Sequence, residues 1–221
     1  MSESTLFWER LTEAERMALQ RAGRVCGFPS KSALLTQGDR SESAVILLKG
    51  SARVEAVSED GRTTILGLRA AGDLVGWQSA IDGGTCVATV AAVGPASALI
   101  VSWPAFVELA HRYPLLSEAL LNTISDRLRE ADESRIMFTG AEVTARLAAV
   151  IISLLKRSGR PTVDGVELRG ISQEDLGSIV AASRESISRS LNGLRKSGVV
   201  RTGRMRITVT DVGALRRLCE H

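Results

Sequence analysis

Aromatic side chains are scarce in this chain, at 4% of 221 residues, so its core must be mostly aliphatic. Cysteine is also sparse: Cys26, Cys86 and Cys219 are odd in number and far apart. That argues against a disulfide framework and for a reducing cytosol, and a cytoplasmic location is expected. Such scattered thiols do not supply the close ligands of an iron–sulfur cluster. Histidine occurs only as His111 and His221, which leaves no His-rich metal site. His111, in ELAHRYP, reads as a surface residue rather than a haem ligand. The long apolar runs, such as LAAVIISLL (147–155), are too short to cross a bilayer. The stretch MSESTLFWERLTEAER lacks a basic region followed by an apolar run, so no leader is expected. Neither G-x-S-x-G nor a P-loop occurs. No enzyme is expected, and no cofactor, metal or membrane partner.

What is present is ordinary in amount and uneven in place. Apolar residues make up 44% of the chain and charged residues 24%, as in a well-packed soluble protein. Residues 1–140 carry 14 Lys and Arg against 17 Asp and Glu, a net −3; residues 141–221 carry 14 against 8, a net +6. Basic charge gathered in one third of the chain points to a polyanion, with double-stranded DNA the first expectation. A merely solvated surface is the competing reading.

The texture changes along the chain. A short helix is expected from Thr12, where T-E-A-E forms a capping box with Glu15. From about 33 to 102, the runs ALLT, AVILL, ARVEAV, TTILGL and TVAAV are separated by QGDR, KG, SEDGR, AAGD and DGG. Asp60-Gly61 is a hairpin signal, and regular short strands of this kind predict a compact β-barrel or sandwich. After Trp103-Pro104 the pattern turns helical. Leu121, Ile124, Leu128, Ala131, Arg135 and Phe138 recur at alternating three and four, the spacing of a coiled-coil seam, and predict a homodimer, with packing of the helix onto its own barrel the competing reading. A break is expected near Thr139-Gly140.

The remainder predicts helices over 142–157, 173–180 and 184–197, a loop or hairpin over 159–170, and a two-strand wing of VVRT and MRITVT. Ser172 and Ser183 stand where caps are wanted. Two short helices across a tight turn, followed by a basic hairpin, describe a winged helix-turn-helix. In 184–197, Ile187, Leu191 and Leu194 form an apolar stripe, and Arg184, Glu185, Ser188 and Arg189 a polar one. Arginine forks suit guanine O6 and N7, and Glu accepts from the cytosine amino group, so Arg184, Glu185 and Arg189 are the candidate base readers. Ser183 and Ser186 are candidate phosphate donors, as are Arg201, Arg204 and Arg206 on the wing. An ion-paired, solvated helix face is the alternative for the stripe.

The chain resembles the Crp-Fnr family of bacterial transcription regulators over nearly its full length. The segments that carry the resemblance are LTQGDRSESAVILLKGSARV, GDLVGWQSAI and ISQEDLGSIVAASRESISRSL. S-R-E-S-I-S-R (183–189) is the most specific, resembling the recognition helix of the catabolite activator branch. The resemblance implies an α+β chain: a jelly-roll effector domain over 1–112, a dimerisation helix and hinge over 113–140, and a winged helix-turn-helix over 141–221. It also implies a palindromic site with TGTGA-like half-sites, read by Arg184, Glu185 and Arg189, with Ser172 and Gln173 at the start of the preceding helix also near DNA. That helix departs from the branch, with Gln173-Glu174 where Arg-Gln would be typical, and a carboxylate near phosphate is unfavourable.

Cyclic-nucleotide-binding members grip the ribose with a Glu after the G-x-x-G turn and the cyclic phosphate with an Arg about ten residues on. A buried phosphate needs such a cation. Here Trp77 follows Gly72-Asp73-Leu74-Val75-Gly76, and Cys86-Val87-Ala88 stands where the Arg-bearing segment would be. No Arg or Lys lies between Arg69 and Arg112. Cyclic AMP in the usual mode is therefore not expected. Gly76, Trp77, Gln78, Cys86, Val87 and Ala88 would line the corresponding pocket, with Trp77 and Val87 making it smaller and more apolar. The expected protein is a homodimeric, sequence-specific DNA-binding transcription regulator, with RNA polymerase a further candidate partner. The alternative is a regulator gated by a small apolar effector, or by Cys86 as a redox switch, in the same pocket.

Overall fold

The computed structural model describes residues 6–59, 61, 63–138 and 142–219, with side chains omitted at 133–138, 157 and 158. The expected turn residue Asp60 and the expected break at Thr139-Gly140 lie outside the described residues. The chain divides near residue 132 into two compact units.

The first unit opens with a 3-10 turn, Phe7–Arg10, and helix α1 (Glu13–Ala22). The capping box is formed as the sequence predicts: the N–H and hydroxyl of Thr12 both donate to Glu15, at 2.8 and 2.9 Å. The strands are β1 (Arg24–Phe28), β2 (Ala33–Leu35), β3 (Ser43–Lys49), β4 (Ser51–Val57), β5 (Thr63–Ala70), β6 (Leu74–Val75), β7 (Thr89–Ala92) and β8 (Ala96–Ser102), with helix α2 (Trp77–Asp82) between β6 and β7. They form two sheets, ordered β1-β8-β3-β6 and β2-β7-β4-β5. The five runs expected as strands over 33–102 fall on β2, β3, β4, β5 and β7, and α2, which the apolar pattern did not mark, starts where Gly76 adopts φ +80.

Strand β3 explains the run AVILL. Val45 and Leu47 face an inner cluster with Ala52, Val75, Val90, Ala92, Ala96 and Ala98, drawn from both sheets. Ala44 and Ile46 face the other way, into a cluster with Phe7, Leu19, Leu99, Phe106, Leu116 and Ala119. A strand covered on both faces has no polar side to alternate with its apolar one. The second cluster is roofed by α1, by α3 (Trp103–Arg112) and by the start of α4 (Pro114–Phe138).

The second unit comprises α5 (Val143–Ser158), β9 (Arg160–Thr162), β10 (Gly165–Arg169), α6 (Gln173–Val180), α7 (Arg184–Lys196), β11 (Val200–Gly203), β12 (Arg206–Val209) and α8 (Val212–Arg217). Its sheet is ordered β11-β12-β10-β9. Leu147, Ile151, Leu176, Val180, Ile187, Leu191, Ile207, Val209 and Leu215 are buried, and α7 lies against α5, α6 and β11. Gly165 is required where β10 begins: its φ is +133, and a Cβ there would stand 2.1 Å from the Val209 carbonyl oxygen. The whole is the α+β fold expected: a β sandwich of jelly-roll type, helices, and a winged helix-turn-helix.

Candidate nucleic-acid interface

Both helices of the helix-turn-helix are capped by serine. Ser172 accepts from the Asp175 N–H at 3.0 Å, while its own N–H and hydroxyl donate to the Asp175 carboxylate at 2.8 Å each. Its single hydroxyl proton is therefore engaged, which leaves Ser172 no donor for a phosphate. At α7, Ser183 accepts from the Ser186 N–H at 3.2 Å, and the two hydroxyls lie 2.9 Å apart. The turn between them is tight. Ala181 takes the left-handed conformation, φ 51 and ψ 52, and the Ala182 N–H donates to the Gly177 carbonyl at 2.9 Å.

Burial of Ile187, Leu191 and Leu194 fixes the rotation of α7 and turns Arg184, Glu185, Ser188 and Arg189 outward, all exposed. Glu185 accepts from Arg189 at 2.6 Å, and their side chains are 82% and 74% exposed. In that much solvent such a pair opens at a cost of about 0.5 kcal/mol or less, so it pre-orients both groups without locking them. Among the described residues Arg184 has no carboxylate within ion-pair distance.

The wing separates its arginines. Arg201 is 3.2 Å from Asp164. Arg206 is 3.6 Å from Glu167, a carboxylate that is buried and also bonded by Arg169. Arg206 is thus tied to an anion of its own sheet, which the sequence expectation of a free backbone contact did not foresee. Arg204 stands exposed at the tip beside Met205 (φ 53), with no carboxylate partner among the described residues.

A concavity of about 380 Å³ runs along α7 and is lined by Gln173, Glu185, Ser188, Arg189, Leu191, Asn192, Arg195 and Thr202. Sequence reading stopped at Arg189. Asn192 and Arg195 continue the outward stripe at three-residue steps, which the helical period alone could have flagged.

Residues 145–218 match the model of the Crp-like helix-turn-helix domain, and residues 25–113 that of the cyclic nucleotide-binding domain. The chain belongs to the Crp-Fnr family of transcription regulators. It is 28% identical over 218 residues to the cyclic AMP receptor protein of Thermus thermophilus, covering 99% of this chain and 98% of that one. It is 29% identical over 175 residues to the cyclic AMP-activated global transcriptional regulator of Salmonella typhimurium, covering 78% and 83%. A solved structure of a CooA variant from Carboxydothermus hydrogenoformans superposes with a TM-score of 0.78 at 18% identity, covering 99% of this chain and 100% of that one. As a Crp-Fnr protein, the chain is a DNA-binding transcription regulator.

The positions corresponding to the family's nucleotide anchors are occupied differently from the sequence expectation. Trp77 packs against the cluster between the sheet and the helices, not the inner cluster of the sandwich. Val87 is 59% exposed. The expected narrowing of the interior by Trp77 and Val87 is therefore corrected. The reason lies in the neighbours: the Cys86 N–H donates to Asp39 and its carbonyl accepts from Gly38, at 2.8 Å each. Cys86 and Ala88 are buried, and Val87, in the bend between them, is left in solvent. The Cys86 sulfur lies 3.7 Å from the Ser79 hydroxyl. Gln78 is exposed. An isolated bridge pairs Arg40 with Thr85, so a basic residue remote in sequence adjoins this segment.

On α4, Leu116, Ala119 and Thr123 are buried, whereas Leu121 and Leu128 are 66% and 63% exposed. Ala131 is exposed and Ile124 half-buried. The side chains of Arg135 and Phe138 lie outside the described residues. Among the described residues no helix is long and apolar enough to cross a membrane.

Proposed function

We propose that this regulator binds a palindromic duplex as a homodimer in the cytoplasm, with α7 in the major groove, and that it does so without cyclic AMP as its effector. The observation that carries the reading is Arg184: exposed at the first turn of a serine-capped helix whose opposite face is buried, and without a carboxylate partner among the described residues. An unpaired guanidinium there has its full fork available to guanine O6 and N7. Glu185, pre-oriented by Arg189, adds an acceptor for the cytosine amino group. Arg204 adds a backbone contact from the wing, because phosphate binding needs charge but no base geometry.

Two features support the rest. Leu121 and Leu128 leave an apolar seam on α4 that a second copy would cover, and a two-fold dimer sets half-sites about one DNA turn apart. Trp77, directed away from the sandwich interior, and Val87, in solvent, supply neither the carboxylate nor the cation that a cyclic nucleotide requires.

The test is fluorescence anisotropy of a labelled duplex carrying a TGTGA inverted repeat, against a scrambled duplex, at fixed salt with and without cyclic AMP. Selective binding unchanged by the nucleotide is the expected result. Binding only on its addition would overturn the effector reading. Equal binding to both duplexes would overturn sequence-specific recognition.

A further inference from the structure

The outward stripe of α7 does not end at Arg189. Asn192 follows Glu185 by seven residues, so the two fall within about 20° of one line on the helix, and Asn192 lies about 10 Å farther along it. That is about three base-pair steps. Asn192 is exposed, and it lies opposite the face buried by Ile187, Leu191 and Leu194. It also lines the concavity beside α7.

Its side chain is pre-oriented. Arg195 donates from Nη2 to the Asn192 amide oxygen at 2.9 Å. A guanidinium has only donors, so it is the oxygen that must face it, and the NH2 group is left pointing elsewhere. An asparagine normally reads adenine by using both ends of its amide, accepting from N6 and donating to N7. Here one lone pair of the amide oxygen is already engaged by a cation, so an adenine N6 would have to share the oxygen with it. Donation from the NH2 group to an acceptor, a purine N7, guanine O6 or thymine O4, requires no exchange of partners, and guanine presents two such acceptors where adenine presents one.

Resting on the reading of α7 as the groove-facing helix, we propose that Asn192, oriented by Arg195, is a specificity-determining residue that selects guanine over adenine at a half-site position distinct from the one read by Arg184. Arg195 acts through Asn192 and is the positioning residue of the pair.

The experiment is competitive selection from a duplex pool in which every position of both half-sites and their flanks is varied. It uses the full-length protein and the variants Asn192→Ala, Arg195→Ala and Arg184→Ala. All three substitutions are of exposed side chains, and folding is checked by circular dichroism. Asn192→Ala is expected to flatten preference at one symmetric pair of positions by about tenfold, the scale of one good side-chain-to-base contact. Arg184→Ala flattens a different pair. Arg195→Ala is expected to raise the share of adenine at the Asn192 position, because the amide oxygen is released to accept. If Asn192→Ala weakens all duplexes equally, or changes no preference while Arg184→Ala does, Asn192 does not read bases and the proposal is overturned. If the wild type prefers adenine there and Arg195→Ala changes nothing, the orienting role of Arg195 is overturned. If Arg184→Ala also leaves every preference intact, the placement of α7 itself has failed, and the proposal with it.

Discussion

Arg127, on α4, donates to the buried carboxylate of Asp73, in the turn between β5 and β6, at 2.5 Å. The same carboxylate accepts from the Ala70 N–H at 2.8 Å, and Arg127 also reaches both oxygens of Glu130, at 3.2 and 3.0 Å. One residue earlier, the Gly72 carbonyl accepts from the Trp8 N–H at 3.0 Å. The turn whose sequence resembles the family's nucleotide-gripping segment is thus fastened to a helix and to the N-terminal 3-10 turn.

Arg127→Leu is expected to destabilise the first unit by about 3–5 kcal/mol, because it strands a buried carboxylate. Adding Asp73→Asn to that variant should recover more than about 1 kcal/mol, since the stranded charge is then gone. Urea denaturation of the singles and the double gives the coupling directly. Additive losses would mean the pair is not energetically joined.

Ala181→Gly should stabilise the second unit by about 0.5–1 kcal/mol. A left-handed alanine costs about 1–2 kcal/mol, and glycine returns part of that gain through its freer unfolded chain. Thermal unfolding followed by circular dichroism measures the shift, and a fall in stability would show that Ala181 is not strained.

Arg184→Ala is expected to cost about 1–3 kcal/mol on the preferred duplex and to relax discrimination at one guanine. Arg204→Ala should weaken preferred and scrambled duplexes alike and reduce the salt slope by about one unit. Anisotropy titrations at several salt concentrations separate the two behaviours.

Ser172→Ala should lower the stability of the second unit by about 1 kcal/mol through loss of the cap, with the salt slope of DNA binding unchanged, since its hydroxyl proton is bonded to Asp175. A flatter slope would place Ser172 on the phosphates after all.

Leu128→Glu, alone or with Leu121→Glu, is expected to leave each protomer folded, because both side chains are mainly in solvent, and to yield monomers in sedimentation equilibrium by placing charges in the seam. A dimer that survives both substitutions would have to be held elsewhere.

The sequence made some elements legible because their signals are local. Helix α6 follows a serine and α7 a second one, their apolar residues recur at helical spacing, and the wing strands meet across a turn of Arg204 and Met205 that follows Gly203. Other elements carried no such mark. Strand β1 reads R-V-C-G-F with Val25 in solvent, so neither an apolar run nor an alternation announces it. Strand β8 pairs on both sides, with β1 and β3, and supplies Ala96 and Ala98 to an interior crowded with alanines; small residues leave a weak hydrophobic trace. At the candidate interface, the candidate readers on α7 were visible from spacing. What spacing hides is which charges are already occupied: Arg206 by Glu167 and the Ser172 hydroxyl by Asp175 are tertiary or capping outcomes. The orientation of Trp77 likewise depends on where α2 starts, which Gly76 sets through a backbone conformation that no apolar pattern encodes.

Trp8, Trp77 and Trp103 are the tryptophans of the chain, and all three rest against the single cluster between sheet and helices. Residues 133–221 contain neither tryptophan nor tyrosine. Intrinsic fluorescence therefore comes from one patch of the first unit, and the helix-turn-helix is optically silent. A duplex seated on α7 meets no fluorophore of the second unit, so any change in emission that accompanies its binding arises at the first unit. The unlabelled protein carries its own reporter of what DNA binding does to the first unit.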